Sequence, residues 1–199
     1  MCGNGIRCVA AYLENHGYVQ KDTFAINTDS GVREVYKANN EYMINMGKPD
    51  YDKERLSLAI DEPEMFNYQH VYKGKEYNLN AVFMTTHHLV IVVDDLNITE
   101  EMGNYFCTNP LFKKMINVNF VKIINNHELQ LKTYERGVGF TKACGSGTTS
   151  AVCVLSRKGL VDDTVKVNYE YGSLTIKKVN DEYYMQGPAK KIAKIVEFM

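Results

Sequence analysis

Two cysteines in this 199-residue chain stand directly before glycine-rich turns that open helices. The first is Cys2-Gly3-Asn4-Gly5, running into Arg7-Cys8-Val9-Ala10-Ala11; the second is Cys144-Gly145-Ser146-Gly147, running into Ser150-Ala151-Val152-Cys153. A helix N-terminus exposes unpaired backbone N–H groups and the positive end of the helix dipole. It therefore lowers a cysteine pKa from about 8.5 toward neutrality and binds a carboxylate with the same groups. Glycine lets the ligand approach the backbone. Two such ends facing each other would hold one carboxylate between two sulfurs, one on each side of the carbon attached to it. One thiolate would remove the α-proton, the opposite thiol would return a proton to the other face, and the pinned carboxylate would absorb the carbanion's charge.

The match extends well beyond the two turns. Gly17-Tyr18-Val19, a strand, Ser30-Gly31-Val32, a strand with Glu41-Tyr42-Met43 and Gly47-Lys48-Pro49 correspond to Gly159-Leu160-Val161, a strand, Gly172-Ser173-Leu174, a strand with Glu182-Tyr183-Tyr184-Met185 and Gly187-Pro188. This is a repeated domain rather than a repeated motif. Periodicity predicts helices over about 5–15 and 147–158, the second ended by Gly159, and helical stretches over Ile98 to Thr108, with Thr99 as N-cap, and Pro110 to Met115. Alternation predicts strands at 23–28, 42–46, 71–72, 81–84, 89–93, 165–169, 174–179 and 183–186, and a hairpin of 118–124 with 129–134 about Asn125-Asn126. The expected class is α+β, two pseudo-repeated domains, each a curved, mostly antiparallel sheet wrapped around a central helix. Gly47-Lys48-Pro49-Asp50 is the natural break. It gives an incomplete N-terminal domain of 1–49 plus about 188–199, carrying Cys2, and a C-terminal domain of about 50–187, carrying Cys144. The tail from Lys190 to Met199 is expected to return to the first domain.

With these residues in view, the sequence resembles the diaminopimelate epimerases, cofactor-independent amino-acid epimerases with two cysteines on two similar domains. Met1-Cys2-Gly3-Asn4-Gly5-Ile6-Arg7-Cys8, Tyr134-Glu135-Arg136-Gly137-Val138-Gly139 with Ala143-Cys144-Gly145-Ser146-Gly147, and Tyr184-Met185-Gln186-Gly187-Pro188-Ala189 carry the resemblance. It implies that Cys2 and Cys144 are the two acid/base residues, and that Gly3, Asn4, Gly145 and Ser146 give backbone N–H groups to the reacting carboxylate. It implies too that Asn117, Glu135 and Arg136 recognise the amino group and distal end of the substrate, that His88 is the active-site histidine, and that the protein is a homodimer.

Three departures stand out. Thr85-Thr86-His87-His88 replaces the family's usual Gly-Asn-Pro-His or Gly-Val-Pro-His, so Thr86 stands where an asparagine often contacts the distal carboxylate, which leaves distal-end specificity open. Phe140 occupies a frequent glutamate position and is assigned to packing. The third is the position of Cys2. In the second copy the strand-rich segment from Tyr51 to Ala143 precedes the cysteine, whereas the first copy has only Met1, so the chain is expected to be a fragment lacking the first part of its N-terminal domain.

Length and composition agree with a soluble intracellular protein, and the resemblance implies a small-molecule amino-acid substrate. Hydrophobic content of 45%, charged content of 24% and a net charge of −1 exclude disorder and give no basic footprint for nucleic acid. No apolar run is long enough to span a bilayer. Five cysteines without a regular framework fit a reducing compartment, and the cytoplasm is the expected location. Cys8, Cys107 and Cys153 read as buried small hydrophobes, and His87 as a strand residue facing solvent. Cysteine and histidine spacings match no metal site, and neither metal nor pyridoxal phosphate is expected. The expected function is interconversion of LL- and meso-diaminopimelate, in lysine and peptidoglycan precursor biosynthesis. Its rivals are a two-cysteine racemase of proline, histidine or glutamate, and a non-catalytic truncated fragment. Sulfurs that flank a single carbon would also be close enough to form a disulfide once the domains shut without ligand.

Overall fold

The structure, a computed structural model, describes residues 2–29 and 31–193. Each cysteine is the N-cap of its helix. Cys2 (φ −120°, ψ 108°) opens α1 (Gly3–Asn15), and Cys144 (φ −128°, ψ 106°) opens α4 (Gly145–Arg157). Both helices thus begin two residues before the expected start, because the thiol itself caps them: Cys2 Sγ accepts from Gly5 N–H and Cys144 Sγ from Gly147 N–H, each at 3.4 Å.

After α1 come β1 (Thr23–Thr28), β2 (Gly31–Ala38) and β3 (Glu41–Gly47); after α4 come β10 (Thr164–Tyr169), β11 (Gly172–Val179) and β12 (Glu182–Gly187). The internal repeat is therefore a helix and a three-stranded meander, twice. Between the copies lie α2 (Lys53–Leu56), β4 (Tyr68–Tyr72), β5 (Lys75–Met84), β6 (Thr86–Val92), α3 (Glu100–Cys107), β7 (Asn117–Asn125), β8 (Glu128–Glu135) and β9 (Gly139–Thr141). One continuous mixed sheet runs β1-β2-β3-β12-β11-β10-β8-β7-β6-β5-β4, with β9 beside β8. It is antiparallel except where β10 meets β8 and β6 meets β7. The α+β class stands as expected, as do the Thr99 cap (Met102 N–H to Thr99 Oγ1, 3.2 Å) and the C-terminal Gly159 (φ 68°); the expected hairpin forms with its turn at Asn126-His127, one residue later, because Asn125 still pairs with Glu128.

α4 is enclosed, buried from Gly147 to Leu155. Its small residues let strands close around it, and its buried threonines satisfy their hydroxyls within the helix, Thr148 on Cys144 O (2.8 Å) and Thr149 on Gly145 O (3.0 Å). α1 is open on the equivalent face. Cys8, Val9 (45% exposed) and Tyr12 (55%) stand where α4 buries Ser150, Ala151 and Val154. Cys8 is thus not the buried hydrophobe expected, unlike Cys107 and Cys153.

The expected helix over Pro110 to Met115 is absent. Its backbone is tied to a neighbouring loop: Ala59 N–H donates to Leu111 O (2.8 Å) and Lys113 N–H to Ser57 O (2.9 Å), while Asn109 makes a side-chain turn to Leu111 N–H (3.1 Å). Residues 188–193 run back against α1, where Pro188 O accepts from Arg7 Nε at 3.3 Å; the rest of the expected tail contact, from 194 on, lies outside the described residues. Among those described, no helix is long and apolar enough to cross a membrane.

Candidate active site

The N-termini of α1 and α4 open onto one cavity of about 340 Å³, lined by Cys2, Gly3, Asn4, Thr86, Asn117, Glu135, Arg136, Ala143, Cys144, Gly145 and Ser146. Nine of the ten residues singled out from the sequence lie on its wall, and the tenth, His88, stands directly behind Ser146. The two turns also touch each other. Asn4 Nδ2 donates to Ala143 O (3.5 Å), and Met185, on β12, is wedged between the first residues of both helices. A Cβ at Gly3 would meet Met185 Cε at 2.5 Å, and one at Gly145 would meet Met185 Sδ at 2.6 Å. Glycine at both helix starts leaves the room that this one side chain fills.

In each turn the third helical N–H goes to the thiol, which leaves the first two, of Gly3 and Asn4 and of Gly145 and Ser146, without an intrahelical acceptor. That is the donor set for a carboxylate. Arg7 is buried on α1 and reaches three partners: Pro188 O, Met185 Sδ (3.5 Å) and Asn4 Oδ1 (3.0 Å). Burial lowers its pKa, opposed by the nearby thiols of Cys8 and Cys2. Through Asn4 Oδ1 its guanidinium reaches the first turn of α1.

The other wall carries charge at the end of β8. Glu135 Oε1 accepts from Thr141 (2.6 Å). Arg136 is held through its N–H to Asn117 Oδ1 (3.1 Å) and its guanidinium to Thr86 Oγ1 (3.2 Å) and Met115 O (3.4 Å). Thr86 follows Thr85, a β-branched residue at φ 63°, strained backbone that sets the tight link from β5 to β6.

Around the second thiol the polar groups form a chain. Cys144 Sγ lies 3.5 Å from Ser146 Oγ, which lies 3.0 Å from His88 Nε2. His88 is fully buried and its pKa is depressed to about 3, chiefly by burial and then by Arg136, so the ring is neutral. Helix-end chemistry alone predicts a lowered cysteine pKa; the structure reverses this at Cys144, where burial, and next the Glu135 carboxylate, push the thiol up to about 11 against the hydrogen bonds from Ser146 and Gly147. His87, expected to face solvent, is half-buried: its Nε2 meets Arg55 O (3.0 Å) and its ring packs edge-on against Phe83. Phe140 packs as expected, edge-on to Tyr134 and under the Lys132 ammonium. All five cysteines are free thiols.

The family sequence profile described as diaminopimelate epimerase matches residues 80–192. The diaminopimelate epimerase of Alkaliphilus metalliredigens is 35% identical over 98% of this chain and 71% of its own length; that of Brachyspira hyodysenteriae is 35% identical over 96% and 71%. The chain belongs to the diaminopimelate epimerase family. It spans about 71% of the length of these relatives. Among solved structures, a hydroxyproline epimerase from Agrobacterium vitis superposes with TM-score 0.65 at 13% identity, covering 92% of this chain and 62% of that one. A PhzF-family phenazine biosynthesis protein from Enterococcus faecalis gives 0.63 at 17%, covering 97% and 71%. These two likenesses establish the shared fold.

Asn119, Thr133, Tyr169 and Met185 surround the site without having been given a role from the sequence, although Met185 stands in the closing motif that carries the resemblance. Tyr169 donates its hydroxyl to Cys144 O (3.0 Å) and accepts from Cys144 N–H (3.4 Å), fixing the cap backbone. A signal existed for Asn119: it is two residues from Asn117 on one strand, hence on the same face.

Proposed function

We propose that this chain carries cofactor-independent epimerisation of diaminopimelate between its LL and meso forms by two-base proton transfer. The observation that carries the reading is the pairing of two cysteine N-caps, nearly identical in backbone angles, on a single cavity with free helix-end N–H groups on both sides. The reacting carboxylate would accept from Gly3, Asn4, Gly145 and Ser146. One thiolate takes the α-hydrogen as a proton, leaving the electron pair on the α-carbon, delocalised into the carboxylate. The opposite S–H then protonates the other face, so the thiolate ends on the opposite sulfur and the configuration is inverted. Glu135 would face the reacting ammonium, and Arg136 with Asn117 and Thr86 the charged distal end. The free thiols are compatible with the cytoplasmic location that goes with this reading.

A second reading, a two-cysteine racemase of another amino acid such as proline, is favoured by Thr86, whose hydroxyl already serves the Arg136 guanidinium. Exchange of the substrate α-hydrogen in D₂O separates the two. Incorporation into diaminopimelate and not proline is expected; the reverse pattern would establish the second reading, and no exchange with any amino acid would mean a non-catalytic chain. Cys2→Ala and Cys144→Ala are each expected to abolish inversion, since either direction needs both sulfurs. Near-normal turnover in either variant would overturn the assignment.

A further inference from the structure

Behind Ser146 and His88 the hydrogen-bond chain continues into the sheet. Asn119 on β7 is fully buried, as are His88 and Thr133. Its Nδ2 lies 3.0 Å from Leu89 O and 3.1 Å from His88 Nδ1, and its Oδ1 lies 3.1 Å from Thr133 Oγ1, on the residue directly opposite it in β8.

A backbone carbonyl only accepts. The Asn119 atom facing Leu89 O must therefore be the amide nitrogen, because the flipped amide would set two buried acceptors against each other. That fixes the rest of the chain. Asn119 Nδ2–H donates to His88 Nδ1, so Nδ1 carries no proton and the neutral ring holds its hydrogen on Nε2. Nε2–H then donates to Ser146 Oγ, which turns the serine's own proton toward Cys144 Sγ. The turn is shaped around this amide: a Cβ at Gly147, whose N–H is the other donor to Cys144 Sγ, would stand 2.3 Å from Asn119 Oδ1.

We infer that Asn119 is a positioning residue, which through the tautomer of His88 aims the Ser146 hydroxyl at the Cys144 sulfur and so supports that sulfur as a thiolate. With the hydrogen on Nδ1 the relay would run backwards. Ser146 would donate to His88, and its lone pairs would face the sulfur.

This inference rests on Cys144 being an acid/base residue, but its primary test does not. In the full chain with ¹⁵N-labelled histidine at neutral pH, the ring signals that vanish in His88→Gln are expected to show Nε2 protonated and Nδ1 bare. An Nδ1-protonated ring would overturn the inference even if the enzyme epimerises normally. Asn119→Asp supplies an acceptor to Nδ1 and is expected to move the proton there, lowering kcat for α-hydrogen exchange by about tenfold to a hundredfold, the scale of one hydrogen bond to a charged group, while KM changes little. In a Ser146→Ala background, where the relay already ends short of the sulfur, the same substitution is expected to cost little more. An unchanged ring tautomer with unchanged kcat in Asn119→Asp would also overturn it. If that variant does not fold, the spectrum of the unaltered chain decides alone. Loss of the epimerase reading would show separately, as retained turnover in Cys144→Ala with the tautomer intact.

Discussion

Two hydrogen bonds to a sulfur ordinarily ease its ionisation, yet at Cys144 burial and the Glu135 carboxylate outweigh the donors from Ser146 and Gly147 and leave the thiol near 11. Burial and Glu135 thus keep Cys144 protonated at neutral pH, and an ammonium set against Glu135 would relieve part of the upward push. Because only the thiolate is alkylated, the rate of Cys144 modification by iodoacetamide, followed by peptide mass analysis, should rise about tenfold per pH unit from pH 7 and level off only near 11. A plateau near pH 8 would contradict this balance of forces. The cysteines themselves were legible in the sequence because an uncommon residue type recurs in the same glycine-rich setting. The roles of Asn119 and Met185 were not. An asparagine within an apolar strand and a methionine in a meander read as ordinary residues until the fold brings one against the His88 ring and the other between two helix starts.

At the scale of elements, the sequence was most informative where local chemistry decides. Glycine turns, alternating strands and the Thr99 cap are determined within a few residues, and they fell where expected. Pro110 to Met115 did not, because its backbone partners are at Ser57 and Ala59, some fifty positions away in sequence, and no local pattern announces them. The start of α4 shows how narrowly an element is fitted to its site. A methyl group at Gly147 would sit 2.3 Å from Asn119 Oδ1 and 3.3 Å from Cys144 Sγ, and neither neighbour is a free chain end that can swing away. Gly147→Ala is therefore expected to destabilise the chain by about 1–3 kcal/mol, as overpacking does, and to lower α-hydrogen exchange by more than tenfold. The comparison is Gly17→Ala, at a loop glycine with no neighbour within 4 Å of its Cβ position: it has only its left-handed backbone (φ 73°) to strain and should leave exchange nearly intact. Equal activities of the two variants would sink the argument from close approach.

For the molecule as a whole, the repeat predicted two similar halves but not how they are joined. The join is a strand pairing, β12 with β3, which makes the sheet continuous and carries Met185 at its centre. Gly187↔Tyr42, Gln186↔Met43 and Met185↔Ile44 register the last strand of one copy against the last strand of the other, so both cysteine helices rest on a common seam, with one thioether between their starts. Met185 is fully buried, its methyl and sulfur filling the space left by Gly3 and Gly145, and Arg7 lies against the sulfur. Met185→Ala would empty that space and leave the buried Arg7 with one partner fewer. Loss of a buried methionine side chain costs roughly 2–5 kcal/mol, which urea unfolding would register. The more telling result is at the site, because the two helix starts are then free to shift toward the gap. Inversion, which needs both sulfurs aligned on one carbon, should fall further than exchange from a single face, which needs one. Met185→Leu, of similar volume, should restore most of the stability and part of the inversion. If Met185→Ala lowered inversion and single-face exchange in equal proportion, the seam would be supporting the fold without setting the spacing of the thiols.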